Sequence, residues 1–220
     1  VDTPKTPGQI AVGWAFSKVP VVGDLAKDLY HNLNEWRRYR AEQTGQQIAE
    51  IVGVEELYRL ARENEDLAAL LVQVLDAVER SGFEAKRRLL VLAAANAFKN
   101  SEEVDVAILI ATALSQLDTV HIRALARLVA LSDSRGPRPE KYDSNGDAAR
   151  DYDGPMKQAG ADLPVPVLVT LVNTGVVLQY GMTFGPGSFL HDVSDFGRQI
   201  LRELQRADPD DETIRWVPPD

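Results

Sequence analysis

Two segments, VLAAANAF (91–98) and VAILIATAL (106–114), are almost wholly apolar and rich in alanine. Each lies in an apolar stretch too long for a buried strand, so both read as helices with little face left for water. Helices of this kind need other helices around them, and alanine lets those neighbours approach closely. The surrounding sequence supplies them. From Asp24 to about Val52, Leu25, Leu29, Leu33 and Trp36 recur at three- and four-residue spacing, while Lys27, Asp28, Glu35, Arg37 and Arg38 take other faces. This predicts one long amphipathic helix, capped by Asp24 and stopped by Gly53. Further helices are expected over 54–63 and 65–80, with Ser81–Gly82 as punctuation. The two apolar helices follow over 83–98 and 102–117, the second capped by Ser101. Asp118 caps another, running to about Ser132.

Beyond Ser132 the pattern changes. Residues 133–162 are rich in Asp, Gly, Pro and Arg and predict a surface loop, with room for a short helix near 154–161. A short helix then begins at Pro164 and Pro166 and stops at Asn173–Thr174–Gly175. Strands over 176–184 and 189–193 flank Gly185–Pro186–Gly187–Ser188, and Ser194 or Asp195 caps a last helix. The expected fold is mainly α: a multi-helix bundle with a small winged-helix-like α/β-hairpin element at the C-terminus. Its divisions are an N-terminal arm (1–23), the helical bundle (24–132), an acidic Pro/Gly loop (133–162), the wing-like element (163–206) and an acidic tail (207–220).

Composition removes several classes of function. The 220 residues include no cysteine, which excludes disulfides, thiolate metal sites and cysteine nucleophiles and fits a reducing compartment. The expected location is the cytoplasm. The most apolar N-terminal stretch, residues 10–23, is interrupted by Lys18 and Pro20, short of the roughly 20 residues a membrane span requires. Trp14 and Phe16 in that stretch are candidates for contact with a partner, the helical body or a membrane surface. The net charge of −9 disfavours nucleic acid. Residues 132–220 hold 9 basic and 15 acidic side chains, so most of the negative excess lies in this part.

That placement bears on the C-terminal third. The segment from LVNTGVV to HDVSDFGRQILREL resembles the wing region of winged-helix domains, where a helix ends in Gly, a hairpin follows and an FG pair opens the closing helix. A DNA reader needs cations for phosphates and Arg, Lys, Asn or Gln for base edges. The helix over 163–174 has no Lys or Arg, and its one amide side chain, Asn173, stands at its end. This helix is therefore expected to pack on the bundle or on a partner.

Three further segments, KVPVVGDLAKDL, EAKRRLLVLAAANAF and VDVAILIATALSQLDTVHIRALARL, carry a second likeness. The chain resembles bacterial and prophage-borne helical proteins that include the abortive-infection alpha-type family. The matching positions are Pro20 to Gly23, Lys86–Arg87, Leu114, Leu117, His121, Leu125, Leu128, Gly175 and Phe196–Gly197. The resemblance implies a role in phage exclusion or defence and brings no catalytic residues or cofactor. The expected function is that of a non-enzymatic interaction protein with a protein partner or a second copy of itself. The alternatives are a winged-helix DNA-binding regulator and an effector acting on membranes through residues 10–22.

Several groups of polar residues are candidates for sites. His31 and Glu35 stand one helical turn apart, which suits an exposed pair better than a metal site with only two local ligands. His121 is expected to hydrogen-bond a neighbouring helix or loop, and His191 to lie exposed in the hairpin. Asp143, Asn145 and Asp147, followed by Asp151 and Asp153, offer oxygen ligands at alternate positions. A calcium loop would then need Gly and Glu at places where this sequence has neither. Lys86, Arg87 and Arg88 form one basic cluster and Arg37, Arg38 and Arg40 another. Salt bridges to residues such as Glu84 are the default, and adjacency of the two clusters would create a place for an anionic ligand or RNA.

Overall fold

The computed structural model describes residues 20–136, 147–180, 189–211 and 214, with side chains other than those of 20–32, 147–151, 180 and 189. Trp14, Phe16, Asp143, Asn145 and the His31 side chain lie outside the described residues. The described chain is mainly helical, with a small two-stranded antiparallel sheet near the C-terminus. In order, the helices are α1 (Pro20–Val52), α2 (Val54–Glu63), α3 (Glu65–Arg80), α4 (Glu84–Lys99), α5 (Val104–Gln116), α6 (Thr119–Ser134), α7 (Asp147–Asp162) and α8 (Val165–Asn173). Strands β1 (Val177–Tyr180) and β2 (Phe189–Val193) follow, and α9 (Asp195–Ala207) closes the sequence of elements.

The two alanine-rich segments lie in α4 and α5; α4 takes the central position expected of it, packed by α1, α3, α5 and α9, whereas α5 packs on α3 and α4 and leaves Val106 and Leu109 exposed. Leu90, Ala94, Ala111 and Leu114 are fully buried, and α3, α4 and α5 pack on one another. The cap of α5 differs from expectation. Ser101 lies inside a 3-10 turn over Ser101–Glu103, and Asn100 supplies the oxygen that accepts from the Glu102 amide at 3.2 Å. Asn64 caps α3 in the same way, accepting from Asp66 and Leu67.

Helix α1 begins at Pro20, one turn before the expected start, and packs on α3 and α4. Arg40 meets Ser81, just past the end of α3, and Gly45 lies against Leu75, so α1 and α3 run antiparallel. That register corrects the expected inner face. Thr44 and Ile48 are buried, whereas Leu33 and Trp36 are 44% and 61% exposed. The reason is length: α3 ends opposite Arg40, and the part of α1 before it extends past this neighbour.

Residues 147–162 were expected to form mostly loop, yet they form the whole of α7. Pro155 lies inside this helix and removes a backbone donor, which makes the segment a poor helix by propensity. Tertiary contact overrides this. Met156 is fully buried, and α7 packs on β2 and α6. Gly160 permits the approach, since a Cβ there would stand 2.7 Å from the Leu190 Cβ.

The core is continuous from Ile48 to Ile214. Ile214, in the segment read as an acidic tail, is buried at a groove between α6 and α9, and Gln205 Nε2 donates to its carbonyl at 3.3 Å. No single helix among the described residues is long and apolar enough to cross a membrane. The apolar pair formed by Ser101–Gln116 and α6 bends by 111° at its junction.

Candidate functional site

Of the basic residues in the two clusters, Lys86 parts from its neighbours. Lys86 is 2% exposed and turns inward, donating from Nζ to the Leu117 carbonyl at 3.1 Å. It is therefore a buried donor rather than an accessible interaction residue. Burial pushes its pKa down, with Asp118 opposing. Arg87 and Arg88 both pair with Glu84, as the salt-bridge expectation had it. Arg40 joins them from α1, with Nη1 donating to the Ser81 carbonyl at 2.7 Å. The two clusters, 46 positions apart from Arg40 to Lys86, thus meet at the α3–α4 turn through Arg40, Arg87 and Arg88.

His121 bonds to the loop that precedes its own helix. It completes a capping box at the start of α6, its Nδ1 accepting from the Asp118 amide at 3.0 Å. Only a neutral imidazole can accept at Nδ1. Burial lowers the His121 pKa, opposed by Asp118 and assisted by Lys86. With the folded pKa below the unfolded one, the unfolded state binds more protons as pH falls through about 6.5. Stability is therefore expected to fall with pH from that point. His121→Gln, which keeps an acceptor without titrating, is expected to flatten the dependence of the urea midpoint between pH 7.5 and 5. An unchanged slope would refute the capping role.

A second group of polar residues carries no local signal in the sequence. At the end of α6, Ser132 Oγ donates to Asp192 Oδ1 at 2.5 Å and accepts from Arg135 Nη2 and Arg198 Nη2. Arg135 is also salt-bridged to Asp192 at 2.9 Å, donates to the Tyr152 carbonyl and stacks over the Tyr152 ring. Arg198 pairs with Asp133. Burial would raise the Asp192 pKa. The Ser132 hydroxyl, the Val193 amide, Arg135 and Arg198 outweigh it and hold the carboxyl below its ordinary value.

His191, expected to be exposed, is instead largely buried, with Nδ1 3.7 Å from Asp153 Oδ1 of α7. A bulge explains how neighbouring residues of one strand both find protein partners. Leu178 pairs with Asp192 and Gln179 with Leu190, leaving His191 as the extra residue. The bulge breaks the strict alternation of a strand, so His191 meets α7 while Asp192 meets the end of α6.

This network clamps α6, α7, β2 and α9 together, and Ser132 is bonded to a carboxylate rather than to an imidazole. Among the described residues, no three His, Asp or Glu side chains converge as metal ligands. Of the residues considered for calcium, Asp147, Asp151 and Asp153 fall on helix α7, and Asp143 and Asn145 lie outside the described residues.

The remaining candidate is the exposed part of α1. Leu33, Trp36 and Tyr39 are all exposed, and the Trp36 and Tyr39 rings meet edge to face with centroids 6.4 Å apart. Arg38 beside them pairs with Glu42. Helix α8, by contrast, buries Val167 and Leu171 and packs on α6 and β1. No family model, curated protein or solved structure matches the chain.

Proposed function

We propose that the chain is a non-enzymatic interaction protein that engages a protein partner, a second copy of itself included, through the exposed face of α1. The observation that carries this is the cluster of Leu33, Trp36 and Tyr39 on a helix that extends past α3. Large side chains of this type dominate protein interfaces when buried, and Trp and Tyr are enriched among the residues whose loss costs most. The polar network supports the reading from the other side, since its serine, carboxylates and arginines are already engaged with one another. The resemblance to abortive-infection alpha-type proteins extends the proposal to phage exclusion.

The test uses the full chain. Sedimentation velocity and affinity capture from phage-infected and uninfected cells are compared for the natural chain and for Leu33→Glu/Trp36→Glu. Both substitutions fall on exposed positions, so circular dichroism is expected to show an intact fold. Self-association or a captured partner is expected for the natural chain, with at least a tenfold loss in the variant. The same variant is expected to restore plating of a phage that the natural protein excludes. Equal association and capture by both proteins would defeat the proposal.

A further inference from the structure

We propose that Arg40 and Arg87, at the turn between α3 and α4, form a binding site for a phosphate group. The two residues come from distant parts of the sequence and are brought together by the antiparallel packing of α1 on α3. Arg40 is fixed there by its hydrogen bond to the Ser81 carbonyl, and Arg87 is the fourth residue of α4. Each guanidinium carries five N–H donors. One from Arg40 is used on Ser81 and one from Arg87 on Glu84. The Arg87 Nε is buried and has no hydrogen-bond partner among the described residues. A buried donor left unmade is costly and calls for a partner.

The surrounding charges have the same sense. Glu84 is shared between Arg87 and Arg88, and Arg88 also reaches the Ala207 carbonyl and Asp208. Among the described residues, the carboxylates of Glu84 and Asp208 are shared by Arg87 and Arg88, and Arg40 is held by a carbonyl. Burial, and after it the charges of Arg40 and Arg88, push the Arg87 pKa down. A phosphate oxyanion meets both needs, because guanidinium forks match its oxygens and its charge offsets the repulsion.

Calorimetric titration of the full chain at constant ionic strength tests this with three probes: inorganic phosphate, adenosine monophosphate and vesicles containing phosphatidic acid. Saturable binding is expected for at least one, and the probe bound most tightly names the source of the phosphate group. Arg40→Gln and Arg87→Gln are each expected to raise Kd at least tenfold. Arg40→Gln retains a donor for the Ser81 carbonyl, so it carries the test if Arg87→Gln fails to fold. Glu84→Gln, which removes a competing carboxylate, is expected to tighten binding. Arg202→Gln, on α9 away from this turn, is expected to change nothing. No saturable binding to any probe would overturn the proposal, as would binding indifferent to Arg40 and Arg87 or weakened by Glu84→Gln.

Discussion

Replacing Arg135 with methionine is expected to lower the free energy of unfolding by about 3–5 kcal/mol, the range for breaking a buried ion pair from one side. The Arg135 side chain is only 5% exposed, and its guanidinium joins three elements. It neutralises Asp192 of β2, donates to the Tyr152 carbonyl and lies 4.4 Å from the Tyr152 ring centre on α7, and it caps the last turn of α6 through Ser132. Methionine retains much of the apolar stem but leaves the Asp192 carboxylate with Arg198 as its remaining cation, at 3.9 Å.

The loss therefore comes mainly from a carboxylate stranded in a partly buried place. Asp192→Leu in the same background tests this, because removing both charges is expected to recover part of the stability. Urea unfolding followed by circular dichroism measures all three variants. A double variant as unstable as the sum of the single ones would show that the two side chains act independently. The low pKa of Asp192 adds a pH effect. A carboxylate with a depressed folded pKa stabilises the fold above its unfolded value near 3.9 and loses that contribution as pH falls through the folded value.

Gly197→Ala is the second large effect, with an expected loss of about 3 kcal/mol. Propensity alone favours the opposite sign, since alanine in a helix is better than glycine by about 0.5–1 kcal/mol. Space decides the matter. A Cβ on Gly197 would collide with the backbone carbonyl oxygen of Val176, and that carbonyl accepts from the Ser194 amide at 3.1 Å. The obstacle is main chain at the start of β1, so relief requires α9 to move away from the hairpin. Ser194 also bonds across this junction, accepting from the Gly197 amide and donating to the Gly175 carbonyl. Gly82→Ala is the control. Nothing lies within 4 Å of a Cβ there, and its effect on the thermal midpoint is expected to be small. A Gly197→Ala protein as stable as the natural one would show that the junction yields easily.

The helices were legible where local signals agreed. Apolar periodicity, Gly53, Ser81–Gly82, Asp118 and Ser194 mark boundaries close to those observed for α2, α3, α6 and α9. Helix α7 was not legible, because its acidic, glycine- and proline-containing sequence favours a loop and only packing on β2 and α6 makes it a helix. The sites show the same division. The Glu84 pairs of Arg87 and Arg88 follow from three- and four-residue helical spacing. Arg40 on Ser81 and Arg135 on Asp192 join residues far apart in the sequence, and no spacing rule anticipates them.

By itself, the amino-acid sequence determined a mainly helical protein with the alanine-rich α4 at its centre, because hydrophobic period and capping act over a few residues. The tertiary structure alone decided which polar groups are spent and which remain. The antiparallel overlap of α1 with α3 leaves Leu33 and Trp36 exposed and places Arg40 at the α4 lead-in. One extra residue in β2 brings His191 and Asp192 to different helices. Burial and charge pairing depend on what lies across the gap between elements, and that is set by packing rather than by any local run of residues.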